Sequence, residues 1–155
     1  MRKNVDKILS MVLVALMSIM VINVLWQVAS RYVLSSPSLF TDELANFLLI
    51  WVGLLGAAYA AGQKAHLAID ILPSQLTGEK KKKLNLIIGI LTIIFALTVM
   101  VIGGSRLVYL TWSLEQLSAT LRVPLGYIYL VIPVSGILII YYAIADLKTL
   151  KTEEQ

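Results

Sequence analysis

The side chains best equipped for chemistry lie in one short stretch, in which Lys64, His66 and Asp70 closely follow Gly62. A histidine four residues before an aspartate can form a proton-transferring pair on one face of a helical turn. No serine, threonine or cysteine nucleophile accompanies the three residues. We therefore interpret them as a polar turn at the cytoplasmic membrane surface, with catalysis as the weaker alternative.

A second polar set, Asn23, Gln27 and Arg31, recurs at intervals of four residues. This spacing places all three on one face of an α-helix, as a polar stripe in an apolar stretch. Buried amide side chains in membranes hydrogen-bond to neighbouring helices. The stripe thus predicts contact with protein rather than lipid. The sequence leaves open whether the partner is another subunit or this chain's own bundle.

Charged residues flank the turn-forming segment that follows the stripe, with Arg31 before it and Asp42 and Glu43 after it. Opposite charges near a membrane boundary usually pair. We therefore expect Arg31 to form an ion pair with one of the carboxylates and to fasten the first helical hairpin. A role of the three residues in docking a partner or a substrate is the alternative.

The composition indicates that these residues sit in a membrane protein. Of 155 residues, 59% are hydrophobic and 14% are charged, whereas a soluble domain is about half apolar and about a quarter charged. A membrane helix needs about 20 predominantly apolar residues. Four runs meet this need, so we predict a single all-α membrane domain over residues 1–155 with spans at 8–30, 44–61, 84–105 and 123–145.

The segment between spans two and three mixes charged and apolar residues, and we predict that it is helical and lies along the membrane interface. It ends in the run Lys80, Lys81, Lys82 and Lys83. Such a cluster is attracted to anionic phospholipid headgroups by about 1 kcal/mol per basic residue. Lipid binding therefore accounts for the net charge of +4 better than nucleic-acid binding does.

The distribution of basic residues predicts the orientation. Ten of the 13 lie in the two terminal segments and the loop between spans two and three, and three lie in the other two loops. Because cytoplasmic loops carry an excess of Lys and Arg, both termini are predicted to be cytoplasmic.

Every charged residue lies at a span end or between spans. A proton relay or ion pathway needs ionisable groups within the membrane, so the sequence argues against an autonomous transporter. The chain also has no cysteine and a single histidine. These residues cannot form a thiolate metal site or a two-histidine haem site, and we expect neither a cofactor nor enzymatic activity.

Small residues form a ridge along span two, where Gly53, Ala57 and Ala61 recur at intervals of four. Ridges of this kind let another membrane helix approach closely. The pattern is common in membrane helices, so it leaves open whether the approaching helix belongs to this chain or to another.

The order of these features resembles the small membrane subunit, or Q subunit, of tripartite ATP-independent periplasmic (TRAP) transporters. The resemblance rests on Arg31, the Asp42–Glu43 pair and three motifs, which are Trp51-x-Gly53, Gly56-Ala57-Ala58 and Gly62-x-Lys64-x-His66-x-x-x-Asp70. It extends over nearly the whole chain, and the stretch from span two to Asp70 is its most specific part.

This resemblance implies a non-transporting subunit of the bacterial inner membrane. In that family a periplasmic substrate-binding protein delivers an organic acid to a large membrane subunit, which carries it with sodium by an elevator motion. The small subunit packs on the stationary scaffold of the large one and helps to dock the binding protein. Sialic acid is the favoured substrate, and a four-carbon dicarboxylate is the alternative.

The resemblance also assigns roles to the residues above. The stripe and the ridge become subunit contacts, and Asp42, Glu43 and the 106–122 loop lie on the docking side. A different class of function stays open, namely a small channel or transporter that self-associates around Asn23 and Gln27.

Overall fold

The computed structural model describes residues 2–33, 39–63 and 79–152, and every regular element within them is helical. The elements are α1 (Arg2–Val33), α2 (Leu39–Gly62), α3 (Glu79–Phe95), a π-helical segment (Ala96–Gly103), α4 (Gly104–Ser113), α5 (Leu125–Tyr129) and α6 (Val131–Thr152). Among the described residues, four stretches are long and apolar enough to cross a membrane: Arg2–Val33, Leu39–Gly62, Lys83–Ser113 and Leu125–Lys148. The predicted all-α class and the four membrane helices are confirmed.

The third span is longer than predicted, because it continues past residue 105 to Ser113. Gly103 and Gly104 lie within this helix, and both have helical backbone angles. Gly104 serves close packing, since a Cβ atom there would lie 2.8 Å from the Ile132 side chain. The 106–122 segment therefore begins as helix and becomes a loop only after Ser113.

The π-helical segment in the middle of this span was not predicted. Its buried residues, Ala96 and Met100, lie against α6 at Gly136. A Cβ atom at Gly136 would lie 2.7 Å from the Met100 Cβ atom. The absence of a side chain at residue 136 thus allows the two helices to approach closely.

The fourth span is interrupted at Leu130, three residues before Pro133. Helix α5 ends at Tyr129, and α6 begins at Val131. Proline has no backbone N–H, so Pro133 cannot donate a helical hydrogen bond to the Tyr129 carbonyl. Helix α6 then runs to Thr152, past the predicted limit at residue 145.

Helix α6 is central to the bundle, because it contacts α2, α3, the π segment, α4 and α5. Helix α1 packs mainly along α2. The buried cluster at the centre joins Leu9, Leu55, Val131 and Tyr142 from three of these helices. Many large apolar side chains elsewhere are exposed, as expected for helices surrounded by lipid.

The helical connections create two polar ends. We call the end containing Arg2, Gly62 and Asp146 the inner end, and the end containing Gln27, Asp42 and the 114–124 loop the outer end, after the predicted orientation. Which end faces the cytoplasm stays a prediction. The predicted interfacial segment covers residues 62–83, of which residues 64–78 lie outside the described residues.

Candidate functional site

The polar stripe of α1 bonds to the start of α2. The buried Asn23 side chain donates from Nδ2 to the Thr41 carbonyl oxygen at 2.7 Å. One turn further, Gln27 donates from Nε2 to Asp42 Oδ1 at 2.9 Å. These two stripe residues therefore meet this chain's own bundle, which was one of the two alternatives for the stripe.

The expected ion pair of Arg31 is not formed. No carboxylate oxygen among the described residues lies within 4.0 Å of its guanidinium, which lies 5.9 Å from the Tyr32 ring centroid. The carboxylates have other donors, because Gln27 is placed to reach Asp42 and backbone N–H groups reach Glu43. The prediction was therefore wrong about which residue holds the carboxylates at the outer end.

Glu43 binds three consecutive backbone N–H groups in the loop between the third and fourth spans. Its Oε1 accepts from Ala119 at 2.9 Å, and its Oε2 accepts from Thr120 at 2.9 Å and from Leu121 at 2.6 Å. Successive N–H groups that point into one concavity bind anions, and here a side-chain carboxylate fills it. Hydrogen bonds to a charged acceptor are shorter and stronger than neutral ones. Glu43 thus joins α2 to the loop.

Internal bonds close this segment, which we call the outer loop (residues 114–124). The Ser118 N–H donates to the Val123 carbonyl at 2.9 Å, and the Val123 N–H donates back to Ser118 Oγ at 3.2 Å. Glu115 and Arg122 adopt left-handed backbone conformations with φ of 47° and 51°. Such conformations are uncommon for residues other than glycine and persist where the surrounding structure imposes them.

The inner end is joined by charged side chains. Arg2 forms an ion pair with Asp146 at 2.7 Å and also donates to the Gly62 carbonyl oxygen. The Tyr142 hydroxyl donates to Asp6 Oδ1 at 2.6 Å. We call these five residues the inner clamp. The clamp ties α1 and α2 to α6 and satisfies a carbonyl at the end of α2 that has no helical partner.

Gly62 itself has a packing role in the clamp. A Cβ atom at this position would lie 2.7 Å from carbons of the Tyr142 ring. The glycine is also the last residue of α2. The predicted cytoplasmic motif that follows, Lys64, His66 and Asp70, lies outside the described residues.

The lysines assigned to lipid headgroups lie at the start of α3. Lys80 and Lys83 are exposed there, whereas the side chains of Lys81 and Lys82 fall outside the described part of the chain. Exposure of the two described lysines is compatible with headgroup contact, which stays a prediction.

The small-residue ridge of α2 faces away from the described part of the chain. Gly53 and Ala57 are exposed, and Ala61 is half-buried. A Cβ atom added at Gly53 or Gly56 would have no described neighbouring atom within 4 Å. The opposite face of the helix carries the fully buried Ala58 and Leu55. The ridge therefore leaves room for a helix from another chain.

A groove of about 390 Å³ lies between α1 and α2 near the outer end. Its walls are mainly apolar and include Ile22, Trp26 and Phe40. None of its described lining residues is charged. Within the described ranges, no three His, Cys, Asp or Glu residues lie close enough together to hold a metal ion.

Comparison with known proteins gives a family match. Residues 19–152 match the model of the DctQ component of tripartite ATP-independent periplasmic transporters. The sialic acid TRAP transporter small permease protein SiaQ of Vibrio cholerae is 28% identical over 103 residues, which cover 66% of this chain and 60% of that relative. A Haemophilus influenzae protein that carries the name TRAP transporter small permease protein is 26% identical over 150 residues, or 94% of this chain and 89% of the relative.

A larger protein also matches in part. The sialic acid TRAP transporter permease protein SiaT of Haemophilus influenzae is 32% identical over 68 residues. The match covers 44% of this chain but only 11% of the larger protein.

Proposed function

Because the chain belongs to the DctQ family of TRAP transporter components and is a small permease subunit, we propose that it is the non-transporting scaffold of a larger membrane subunit. A transporter component of this kind is not an enzyme. The proposal assigns the movement of solute to the larger subunit and the support of that subunit to this chain.

The observation that carries this proposal is the open ridge on α2. Gly53 and Ala57 are exposed on a face that the described part of the chain leaves uncovered. Membrane helices associate through such small residues, since close backbone approach increases van der Waals contact. The match to part of SiaT adds support, because a similar sequence occurs inside a larger TRAP permease.

The placement of charge supports a non-transporting role. The described lining of the groove between α1 and α2 carries no charge. The described charged residues lie near the helix ends or in the connecting loop, except Arg106, which lies within the third span. Sodium and an organic acid need polar groups within the membrane, and the larger subunit would supply them. Sialic acid is favoured because two of the matched proteins carry it in their names, and a four-carbon dicarboxylate is the alternative.

The outer end is proposed to help dock the periplasmic substrate-binding protein. This assignment follows from the predicted orientation, which places Asp42, Glu43 and the outer loop in the periplasm and both termini in the cytoplasm of a bacterial inner membrane. The lysines at the start of α3 would then meet anionic phospholipid of the inner leaflet.

Copurification tests the scaffold proposal. The tagged chain, produced with the large subunit, should purify as a one-to-one complex. Substituting Gly53→Leu or Ala57→Leu should reduce recovery of the large subunit at least about tenfold, because a bulky side chain blocks close helix approach. Ala15→Leu, at an exposed position on α1, is the matched control and should leave recovery unchanged.

Two results would contradict the scaffold proposal. Equal recovery with the ridge variants and with Ala15→Leu would exclude the ridge as the contact. Solute uptake by liposomes that contain this chain alone would instead support the self-associating channel or transporter.

A further inference from the structure

The outer loop combines an ordered backbone with exposed side chains. Its N–H groups at residues 119–121 are bound by Glu43, and its two ends are joined by the hydrogen bond from the Leu125 N–H to the Gln116 carbonyl at 2.9 Å. The Leu117 side chain is 53% exposed, and Glu115 and Arg122 are also exposed. The loop therefore presents an apolar side chain and two opposite charges from a backbone held in place.

We propose that Glu43 is a positioning residue, which shapes the outer loop so that Leu117, Glu115 and Arg122 contact the periplasmic binding protein. This inference rests on the proposed docking function and deepens it. It reverses the simplest interpretation of the acidic pair, in which Glu43 itself would meet the partner. Both carboxylate oxygens of Glu43 are instead occupied within this chain.

The geometry favours a protein partner over lipid. Protein interfaces combine apolar contacts with a polar rim, and charged pairs across the rim set the orientation of the partner. Leu117, with opposite charges at Glu115 and Arg122, fits this pattern. The left-handed conformations of Glu115 and Arg122 also set the direction in which each side chain leaves the backbone. A surface ordered before binding loses less entropy when the partner docks.

Lipid insertion would have a different signature. It would depend on the exposed aromatic residues Tyr109 and Trp112 at the end of the third span, since such side chains favour the membrane interface. It would not depend on the conformation that Glu43 imposes on residues 119–121. This difference separates the two partners experimentally.

The first measurement examines the loop itself. Hydrogen exchange is followed in the complex of this chain with the large subunit, in detergent, for the wild type and Glu43→Gln. Glutamine keeps the side-chain size but offers one acceptor oxygen and no charge. The amides of Ala119, Thr120 and Leu121 should exchange at least about tenfold faster in the variant. Unchanged protection would overturn the positioning role.

The second measurement examines docking. The complex is reconstituted in liposomes, and sialic acid uptake is measured against the concentration of sialic-acid-loaded binding protein. Glu43→Gln and Leu117→Glu should each raise the half-saturating concentration at least about fivefold and leave the maximal rate within about twofold. Asn46→Ala, at an exposed position one turn after the acidic pair, is the control and should change neither value.

The outcomes distinguish this inference from the scaffold proposal. An intact complex in which both variants keep the wild-type half-saturation would overturn docking by the loop and leave the scaffold role standing. If Glu43→Gln fails to assemble, Leu117→Glu decides alone, because its side chain is exposed and makes no bond to Glu43. A raised half-saturation with Tyr109→Ala but not with Leu117→Glu would favour lipid insertion and overturn the inference.

Discussion

The two polar ends of the bundle are built from different kinds of hydrogen bond. At the inner end, Arg2, Asp146, Asp6 and Tyr142 bond mostly through side chains at both partners. At the outer end, Glu43 bonds to three backbone N–H groups of a loop. The inner contacts surround the Tyr142 ring, which is 1% exposed, whereas the outer contacts order a loop whose side chains remain exposed.

This difference indicates a division of labour. In a bond between two side chains, neither side chain is available to bind another molecule. The inner clamp around the buried ring therefore stabilises the bundle. A carboxylate that binds a loop through its backbone leaves the loop side chains available. Variants of the inner clamp should therefore affect stability most, and variants of the outer end should mainly affect contact with partners.

The largest expected effect is that of Tyr142→Ala. Truncating the ring leaves a cavity beside Gly62 and removes the bond to Asp6, so the free energy of unfolding should fall by about 3 kcal/mol. Denaturation of the full-length chain in mixed detergent micelles measures this change. Tyr109→Ala, in which a 71% exposed ring is lost, is the control. Similar losses for the two variants would remove the contrast between the ends.

Asn23→Ala tests whether a buried bond of the outer end also supports the bundle. Asn23 is 8% exposed and donates to the Thr41 carbonyl at 2.7 Å. Hydrogen bonds between membrane helices are worth about 0.6 kcal/mol on average, so a loss of about 1 kcal/mol is expected. Ser18→Ala, whose exposed hydroxyl bonds within its own helix, is the reference. A loss as large as that of Tyr142→Ala would show that the outer end supports the bundle equally.

A double-mutant cycle of Arg2→Ala and Asp146→Ala isolates the ion pair of the inner clamp. The two side chains are 32% and 25% exposed, so solvent screens part of their attraction. The coupling energy should be about 0.5 to 1 kcal/mol and should fall at high salt. Measuring it by the same denaturation method at two salt concentrations shows how much charge adds to packing. A coupling energy near zero would show that the ion pair adds no stability and that Tyr142 provides the stability of the inner clamp.

Arg31→Gln should have the smallest effect. Arg31 has no carboxylate partner within 4.0 Å among the described residues, so its replacement should change the unfolding free energy by less than about 0.5 kcal/mol. Gln27→Leu, which removes the bond to Asp42, should cost more and serves as the comparison. A loss of unfolding free energy above about 1 kcal/mol for Arg31→Gln would instead support the ion pair that the sequence alone predicts.

Features that depend on neighbouring residues in the sequence were predictable, whereas contacts between distant residues were not. The four membrane helices were predictable, since they follow from composition and from the length of the apolar runs. The predicted end of the third span at residue 105 was wrong, because the helix continues through Gly103 and Gly104 to Ser113. Those glycines are helical, and Gly104 accommodates Ile132, which no local pattern shows.

The outer carboxylates illustrate the same limit. Their position at the start of α2 was predictable, but their partners were not. Arg31 has the complementary charge, yet Gln27 reaches Asp42. The three donors to Glu43 are backbone groups about 76 to 78 residues later, and backbone donors carry no signature in the residue types.

The sequence by itself determined that the chain lies in a lipid membrane, how many helices cross it and that most charged residues lie at the helix ends. These properties depend on the length of apolar runs and on the cost of placing charge in lipid. Only the tertiary structure decided which polar groups meet, including Arg2 with Asp146 across 144 residues. Hydrogen bonds act over about 3 Å, so a partner is selected by helix packing and not by charge alone.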